Sequence, residues 1–308
     1  MTVLITGGAG FIGTHLVRAL TASNAAIRVA HRTVESQEDM RVGHPLAEHV
    51  IADVTDRSGI RGALANVSTV YHLAGFGSPG STHEDDIKIL RVNVTGTCTL
   101  LQESVAAGVE RFVFASSASV YGDGPESPKT ESMPTLPKSV YAASKIAGED
   151  LCRVFHSQRG LDTRILRYFN VYGPDQDATM VVPRFVGMLM AGETVTLYGD
   201  GSQTRDFVHI LDVVRATMLA GSAADPGSRI YNIASGSPTS IREMVEALSA
   251  ALGVTAEVAY LPERPGEIRE SLASTRIASD SLGFTAEVGL EQGLRNTLNP
   301  SHRFASTS

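Results

Sequence analysis

The chain has few cysteines and no long apolar run. Of its 308 residues only Cys98 and Cys152 are cysteines, and they lie too far apart for metal-ligand spacing, so we expect ordinary thiols of a reducing compartment. No apolar stretch is long enough to cross a bilayer, and the chain starts directly with a strand-like segment instead of a signal peptide. These observations predict a cytoplasmic protein with no metal site and no membrane partner.

A positive charge excess is also missing. The chain has 26 Lys and Arg against 33 Asp and Glu, a formal net charge of −7, which argues against nucleic acid as its main partner. Local arginines can still bind an anionic ligand. With 43% hydrophobic and 19% charged residues the chain can bury a sizeable core, as enzymes of this length do.

Short apolar segments alternate with helix-like ones. The predicted strands are Val3–Thr6, Ile27–Ala30, Val50–Ala52, Thr69–Leu73, Arg111–Ser116 and Thr163–Tyr168. Between them lie helix-like stretches such as Asn93–Ala107 and Tyr141–Gln158. This alternation predicts an α/β fold with a Rossmann-type, doubly wound parallel sheet, in which ligands bind at the carboxyl ends of the strands.

The rhythm changes after Gly173-Pro174, where short strands, turns and the predicted helix Ile241–Leu252 are mixed. We therefore predict a dinucleotide-binding domain over residues 1–174. Residues 175–298 are predicted to form a smaller C-terminal substrate-binding region, interleaved with the first domain. The polar segment 299–308 is predicted to be a frayed tail.

A glycine-rich turn follows the first predicted strand. Gly7, Gly10 and Gly13 are spaced three apart, and the helical run His15–Leu20 comes next. A strand that turns through glycine into a helix directs free backbone N–H groups and the positive end of the helix dipole at one point, where a pyrophosphate can bind. The alternative is a plain strand-to-helix turn.

Tyr141 and Lys145 lie one helical turn apart in a predicted helix. The pKa of tyrosine is ordinarily about 10. A nearby lysine ammonium favours the phenolate, and so would a positive nicotinamide ring, and the combination would make Tyr141 a proton acceptor near neutral pH. Upstream, the predicted strand ending at Ser116 runs into small hydroxyl residues that can hydrogen-bond a substrate oxygen. A surface Tyr/Lys pair and a simple serine-rich turn are the alternatives.

Together these segments resemble the extended short-chain dehydrogenase/reductase family, in particular its nucleotide-sugar epimerase and dehydratase branch. The resemblance extends from Val3 to Leu298. It depends on eight segments in order: Gly7–Gly13, Asp53–Val54, Tyr71–Ala74, Asn93–Thr97, Ser116–Gly122, Tyr141–Lys145, Leu166–Pro174 and Arg205–Ile210. It is more specific for the family than for the reaction.

The resemblance implies roles by position. It implies that the catalytic residues are Tyr141 as general acid and base, Lys145 on the nicotinamide ribose, and Ser117 orienting a sugar oxygen. The residues implied to bind the cofactor are Gly7, Gly10, Phe11, Ile12, Gly13, Asp53, Val54, Leu73, Ala74, Asn93, Tyr141 and Lys145. Those implied to bind substrate are Ser117, Ser119, Asn170, Arg205, Arg264 and Ser271. Asn170 and the two arginines would contact the nucleotide diphosphate, since guanidinium groups suit phosphate oxygens.

Departures from the family pattern narrow the range of reactions that this chain could catalyse. Similar 4,6-dehydratases have an Asp-Glu pair where this chain has Ala118-Ser119, and similar decarboxylases have Glu at the position of Ser119. Both reactions are therefore disfavoured, and hydride transfer at a sugar carbinol remains. A small residue at Ser271 would leave space for an N-acetyl group at C2 of the sugar.

The cofactor position also departs from the pattern. Where NAD-binding relatives have an acidic residue after the second strand, this chain has His31-Arg32. A guanidinium there would stabilise a 2′-phosphate, so we predict that NADP is accepted and even preferred, with NAD as the alternative.

The sequence thus predicts an NAD(P)-dependent nucleotide-diphosphate-sugar 4-epimerase. The resemblance implies a homodimer in which the helices near Asn93–Ala107 and Tyr141–Gln158 pair with their copies. The first alternative is an NADPH-dependent 4-ketoreductase of a nucleotide-linked 4-keto-6-deoxy sugar. The second is a non-catalytic NADP-sensing protein, although such proteins typically lack the Tyr/Lys pair.

Overall fold

The computed structural model describes residues 2–78, 80–124, 126–263 and 269–299. Its strands are β1 (Thr2–Thr6), β2 (Ala26–His31), β3 (Glu48–Ile51), β4 (Val67–His72), β5 (Arg111–Ser117), β6 (Asp162–Tyr168), β7 (Asn170–Tyr172), β8 (Val195–Tyr198), β9 (Thr204–His209), β10 (Ser228–Ile233), β11 (Pro238–Ser240), β12 (Val258–Leu261) and β13 (Glu270–Ser271). Apart from Asn299, the predicted frayed tail lies outside the described residues.

The helices alternate with these strands. They are α1 (Phe11–Ala22), α2 (Val34–Gly43), α3 (Arg57–Ala63), α4 (Asp86–Leu90), α5 (Thr97–Ala106), α6 (Val140–Arg159), α7 (Val181–Ala191), α8 (Ile210–Ser222), α9 (Ile241–Leu252), α10 (Arg276–Leu282) and α11 (Leu290–Leu298). In the described ranges, none of them combines the length and apolarity that a bilayer span needs.

The main sheet has seven strands in the order β10-β6-β5-β4-β1-β2-β3. Every neighbouring pair in it is parallel. The chain moves from β1 outward through β2 and β3 and then returns to β4 on the other side of β1. The carboxyl ends of β1 and β4 therefore flank the switch point at which such sheets bind ligands. The predicted Rossmann-type fold is confirmed.

Helices cover both faces of this sheet, because neighbouring apolar residues of β1 point to opposite faces and both are buried. Ile5 packs in one core cluster with Leu16 of α1 and Val213 of α8. Its neighbour Leu4 points the other way and packs with Leu100 of α5 in a second cluster. Each such side chain contributes about 1.5–3 kcal/mol when fully buried, so the two cores hold the strand ends in fixed positions.

A smaller assembly follows the main sheet. Strand β9 pairs with β7, β11 and β13, and β8 pairs with β12. Helix α9 has the predicted bounds because its ends are marked in the sequence. Ser240 and Glu243 form a capping box at its start, and Gly253, at φ 69°, ends it.

One helix bound differs from the sequence prediction. The predicted helix Asn93–Ala107 belongs to a longer helical stretch that starts at Asp86 and includes a π-helical segment, Arg91–Gly96. The acidic run Glu84-Asp85-Asp86 before it is typical of a helix start.

Elements beyond residue 174 contact the first domain: β10 pairs with β6, and α8 packs against α1. The boundary at residue 174 remains a prediction.

Candidate functional site

The glycine turn between β1 and α1 leaves no room for side chains. Gly7 has φ 73°, and a Cβ there would lie 2.5 Å from the backbone nitrogen of Ala74. A Cβ on Gly13 would lie 2.1 Å from the carbonyl oxygen of Gly7. Gly10 precedes α1 without a side-chain cap, so the first amides of the helix have no intrahelical partner. The geometry of the turn is compatible with a bound pyrophosphate, whose contact with these glycines stays a prediction.

A cleft of about 320 Å³ opens beside this turn. Eight of the predicted cofactor-binding residues line it: Gly7, Gly10, His31, Arg32, Asp53, Val54, Leu73 and Ala74. One carboxylate oxygen of Asp53 accepts hydrogen bonds from the backbone nitrogen and hydroxyl of Thr55, at 2.7 and 2.8 Å. The features that suit a dinucleotide are thus the glycine turn, for its phosphates, and the lining residues beyond that turn.

His31 and Arg32 differ in what they offer the cleft. His31 is buried, and its Nε2 lies 2.9 Å from Nδ1 of His49. Burial, together with the charge of His49, lowers the pKa of His31 to about 4. It is therefore uncharged at neutral pH. Arg32 is exposed and takes part in no ion pair with the described residues, so its guanidinium is the positive charge at this wall.

The remaining cofactor predictions do not line the cleft itself. Phe11, Ile12 and Gly13 form the first turn of α1, where their backbone amides are the relevant groups. Asn93 lies behind the cleft, and its side-chain amide bonds to the backbone of Phe76 and to Ser144 at 2.8–3.0 Å. It holds the wall of the cleft through Phe76, while its direct contact with a cofactor stays a prediction.

The three predicted catalytic residues converge. Tyr141 and Lys145 lie in the first turns of α6, which Ser139 caps, and Ser117 ends β5. The Lys145 ammonium donates to the carbonyl oxygen of Ala115 at 2.8 Å and lies 5.7 Å from the centre of the Tyr141 ring. The Ser117 hydroxyl lies close enough to the Tyr141 side chain to lower its pKa.

The expected acidification of Tyr141 is not found in the protein alone. Burial raises the pKa of Tyr141, and only the nearby Ser117 hydroxyl opposes this. Burial also lowers the pKa of Lys145 to about 8, against the charge of Glu149. The sequence argument missed this because it considered the neighbouring charge without the loss of water, and the lysine is directed toward Ala115.

A second pocket, of about 300 Å³, lies at the end of β5. Five predicted substrate-binding residues line it: Ser117, Ser119, Asn170, Arg205 and Ser271. Register explains part of this arrangement, since Ser271 on β13 pairs directly with Arg205 on β9. The sixth, Arg264, lies outside the described residues.

The same pocket contains residues that the sequence analysis missed. Tyr121, Lys129 and Glu270 also line it. Lys129 is 5% exposed, and its ammonium donates to the carbonyl oxygen of Gly124. No periodic pattern marks these positions, because tertiary structure brings them together. Among the lining residues that the structure describes, Glu270 alone has a carboxylate, so Ala118-Ser119 is not replaced by a nearby acid pair.

No group of three potential metal ligands is found in the described part of the chain. His72, one of the histidines near the site, bonds to Thr6 at 2.7 Å and to Thr97 at 2.9 Å. It therefore joins β4 to β1 and α5.

The parallel sheet, the glycine turn and the cleft beside it are features of a dinucleotide-binding enzyme of the Rossmann type. The sequence profile of the NAD dependent epimerase/dehydratase family matches residues 3–234. The chain belongs to this family, as its resemblance predicted.

Relatives within the family have more than one activity. The chain is 36% identical to a UDP-glucose 4-epimerase of Mycolicibacterium smegmatis, over 97% of both chains. It is 35% identical to a dTDP-glucose 4,6-dehydratase of Streptomyces griseus, over 99% of this chain and 95% of the other. A solved structure of the Thermus thermophilus UDP-glucose 4-epimerase in complex with NAD matches with a TM-score of 0.87 and 35% identity, over 99% of this chain and 100% of that one.

Proposed function

We propose that the protein is a nucleotide-diphosphate-sugar 4-epimerase. The observation that carries the proposal is the position of Ser117, Tyr141 and Lys145 between the two clefts. Ser117 lines the substrate pocket, while the Lys145 ammonium lies 3.4 Å from where a Cβ on Gly75 would be, and Gly75 lines the dinucleotide cleft. A sugar hydroxyl and a nicotinamide could therefore meet at Tyr141.

The residues of the site have separate tasks in this proposal. The bound dinucleotide supplies a hydride acceptor and donor for C4 of the sugar. Tyr141 takes the proton from the C4 hydroxyl and later returns one, and Ser117 donates a hydrogen bond to the same oxygen. Lys145 gives positive charge beside Tyr141, and a bound oxidised nicotinamide ring would add a second positive charge, so both would oppose the effect of burial on the pKa of Tyr141. Arg205 and Asn170 hold the diphosphate, so the sugar can turn over while its nucleotide stays fixed.

The absence of an acid pair distinguishes this proposal from the dehydratase relatives. Elimination of water from C5–C6 needs a general acid and a general base beside those carbons, whereas Ala118 offers neither and Ser119 has only a hydroxyl. Small side chains at Ser119 and Ser271 leave the sugar end of the pocket open. We propose a UDP-hexose as substrate, which the names of the epimerase relatives support, and the small side chain of Ser271 would also admit its 2-N-acetyl form.

The identity of the dinucleotide is part of the proposal. NAD is supported by the complex of the Thermus thermophilus relative. The predicted preference for NADP depends on Arg32 alone, since His31 is uncharged at neutral pH. We propose that the cleft binds NAD and accepts NADP through Arg32, which titrations with NADH and NADPH would measure.

The test is a cofactor-free assay. Purified protein incubated with UDP-galactose or UDP-GalNAc, without added dinucleotide, should bring the two C4 epimers to equilibrium, and Tyr141→Phe should abolish this while still binding the nucleotide sugar. If instead the protein oxidises NADPH only in the presence of a 4-keto-6-deoxy nucleotide sugar, the reductase alternative replaces the epimerase. Loss of water from dTDP-glucose would favour the dehydratase relatives.

We also propose a homodimer formed through α4 and α6. Ile87 is 77% exposed, and Leu90 and Val154 are also exposed apolar side chains on these helices. Leu100 and Leu101 of α5, in contrast, are fully buried within the chain and are not available for a partner. Light scattering coupled to gel filtration would give the mass of the particle, and a monomer would refute this part of the proposal.

A further inference from the structure

Two consecutive residues at the end of β5 hydrogen-bond to α6, the helix with the proposed catalytic pair, and the next residue, Ser117, faces Tyr141 of that helix. The bonds pair Ala115 with Lys145 at 2.8 Å and Ser116 with Glu149 at 2.5 Å. Lys145 belongs to the proposed catalytic set, whereas Glu149 lines neither cleft, so its role in the site needs a separate account.

Glu149 is completely buried and held on both oxygens. Its Oε1 accepts hydrogen bonds from the Ser116 hydroxyl and from Nε of Arg167 at 2.9 Å, while its Oε2 accepts from a terminal nitrogen of Arg167 at 2.7 Å. Arg167 is 1% exposed and lies over the ring of Tyr121, a wall of the substrate pocket. A buried ion pair of this kind contributes little net stability, because desolvation offsets the attraction. What it does provide is fixed geometry and a fixed charge.

Lys145 is surrounded by few charges. On its own helix it has Tyr141 one turn before it and Glu149 one turn after it. From β4 it faces His72, which is uncharged because burial lowers the pKa of that imidazole to about 3. On β6, the positive charge of Arg167 is paired with the Glu149 carboxylate. Among the described residues, Glu149 is thus the anion that acts on the buried ammonium of Lys145.

We propose that Glu149 is a positioning residue of this site. Its hydrogen bonds with Ser116 and Arg167 hold α6 against β5 in the register that places Ser117 next to Tyr141. Its negative charge keeps Lys145 protonated. The inference depends on the proposed function, since it assigns Glu149 a task through Tyr141 and Lys145.

Two variants separate charge from geometry. Glu149→Gln removes the charge but keeps the length, and should lower kcat at least tenfold with little change in KM. It should also move the alkaline limb of the kcat profile about one pH unit lower, because a charge one helical turn away acts on Lys145 with that order of energy. Glu149→Asp keeps the charge but is one methylene short, so it should lower kcat while leaving the alkaline limb in place.

Asp162→Asn is the matched control. Asp162 is also a buried carboxylate that pairs with an arginine of the same sheet, Arg111 at 2.8 Å. This pair lies where β5 and β6 begin, whereas the site lies where β5 ends. Its loss should weaken folding without moving the pH profile. The proposal is overturned if Glu149→Gln leaves the alkaline limb where the wild type has it, or if Asp162→Asn moves the limb equally.

A second measurement does not need activity. The pKa of Lys145 is lower in the folded than in the unfolded chain. If Glu149→Gln lowers the folded-state pKa further, the stability that this variant loses relative to the wild type is smaller at high pH than at pH 7. For a shift of one pH unit, the ratio of its unfolding constant to that of the wild type should shrink about fivefold between pH 7 and pH 9. A ratio that stays constant, as expected for Asp162→Asn, would contradict the inference even if the wild type shows no epimerase activity. Absence of activity with a shrinking ratio would instead refute only the proposed function.

Discussion

Replacing Gly13 with alanine should weaken both folding and dinucleotide binding. The new Cβ would lie 2.1 Å from the carbonyl oxygen of Gly7 and 2.7 Å from the Cα of Gly8, roughly 1 Å or more inside ordinary contact. Both neighbours are backbone atoms that cannot rotate away, so α1 must shift or the turn must open. Overpacking of this kind costs about 1–3 kcal/mol of folding free energy.

The same shift would move the amides that face the pyrophosphate. Each hydrogen bond to a charged group contributes about 1.5–3 kcal/mol, so losing one should weaken NADH binding about tenfold to a hundredfold. Quenching of intrinsic tyrosine fluorescence by NADH and urea denaturation measure the two effects. Gly13→Ala with wild-type affinity and wild-type unfolding midpoint would refute this account of the turn.

Gly187→Ala is the control for the substitution itself. Gly187 lies inside α7, and a Cβ there would meet nothing within 4 Å. Because alanine favours a helix interior by up to about 1 kcal/mol over glycine, this variant should unfold at slightly higher urea concentration. Its NADH affinity should equal that of the wild type.

Three further predictions concern charges around the site. Arg205→Ala removes a guanidinium from the substrate pocket and should raise KM for the nucleotide sugar about tenfold or more with a smaller effect on kcat, whereas an unchanged KM would place the diphosphate elsewhere. Arg32→Ala should weaken NADPH binding about tenfold while NADH binding, measured in parallel, changes little; equal losses for both would exclude a contact with the 2′-phosphate. Burial lowers the pKa of His72 to about 3, so the folded chain excludes a proton that the unfolded chain binds near pH 6.5. Stability should therefore fall by about 1.4 kcal/mol per pH unit from this group as pH drops below 6.5, and urea denaturation of His72→Asn should lack that component.

Much of the fold could be predicted because strand and turn signals are local. The glycine turn before α1 and the Ser240–Glu243 box before α9 each mark an end within a few residues. The helix predicted from Asn93 leaves out residues 86–92, since the π-helical segment Arg91–Gly96 interrupts the apolar period between the two parts. The pairing of β10 with β6 is a long-range contact that no local signal encodes.

In the candidate site, too, local motifs could be predicted and long-range contacts could not. Motif positions placed Ser117, Tyr141 and Lys145 together, and five substrate residues in one pocket. Sequence reasoning considered the charges beside Tyr141 and left out the burial that raises its pKa in the protein alone, because burial cannot be read from spacing. It also missed Glu149, whose importance becomes visible only through Ser116 and Arg167.

Transient removal of hydrogen from C4 is the central claim, and an isotope experiment tests it most directly. UDP-galactose deuterated at C4 is incubated with the purified protein in ordinary water, without added dinucleotide, and the product is analysed by mass spectrometry and proton NMR. The account predicts UDP-glucose that keeps its deuterium at C4, because the hydride returns within one closed site where Tyr141 handles only the hydroxyl proton. Product that has lost the label to water, or no product at all, would contradict it.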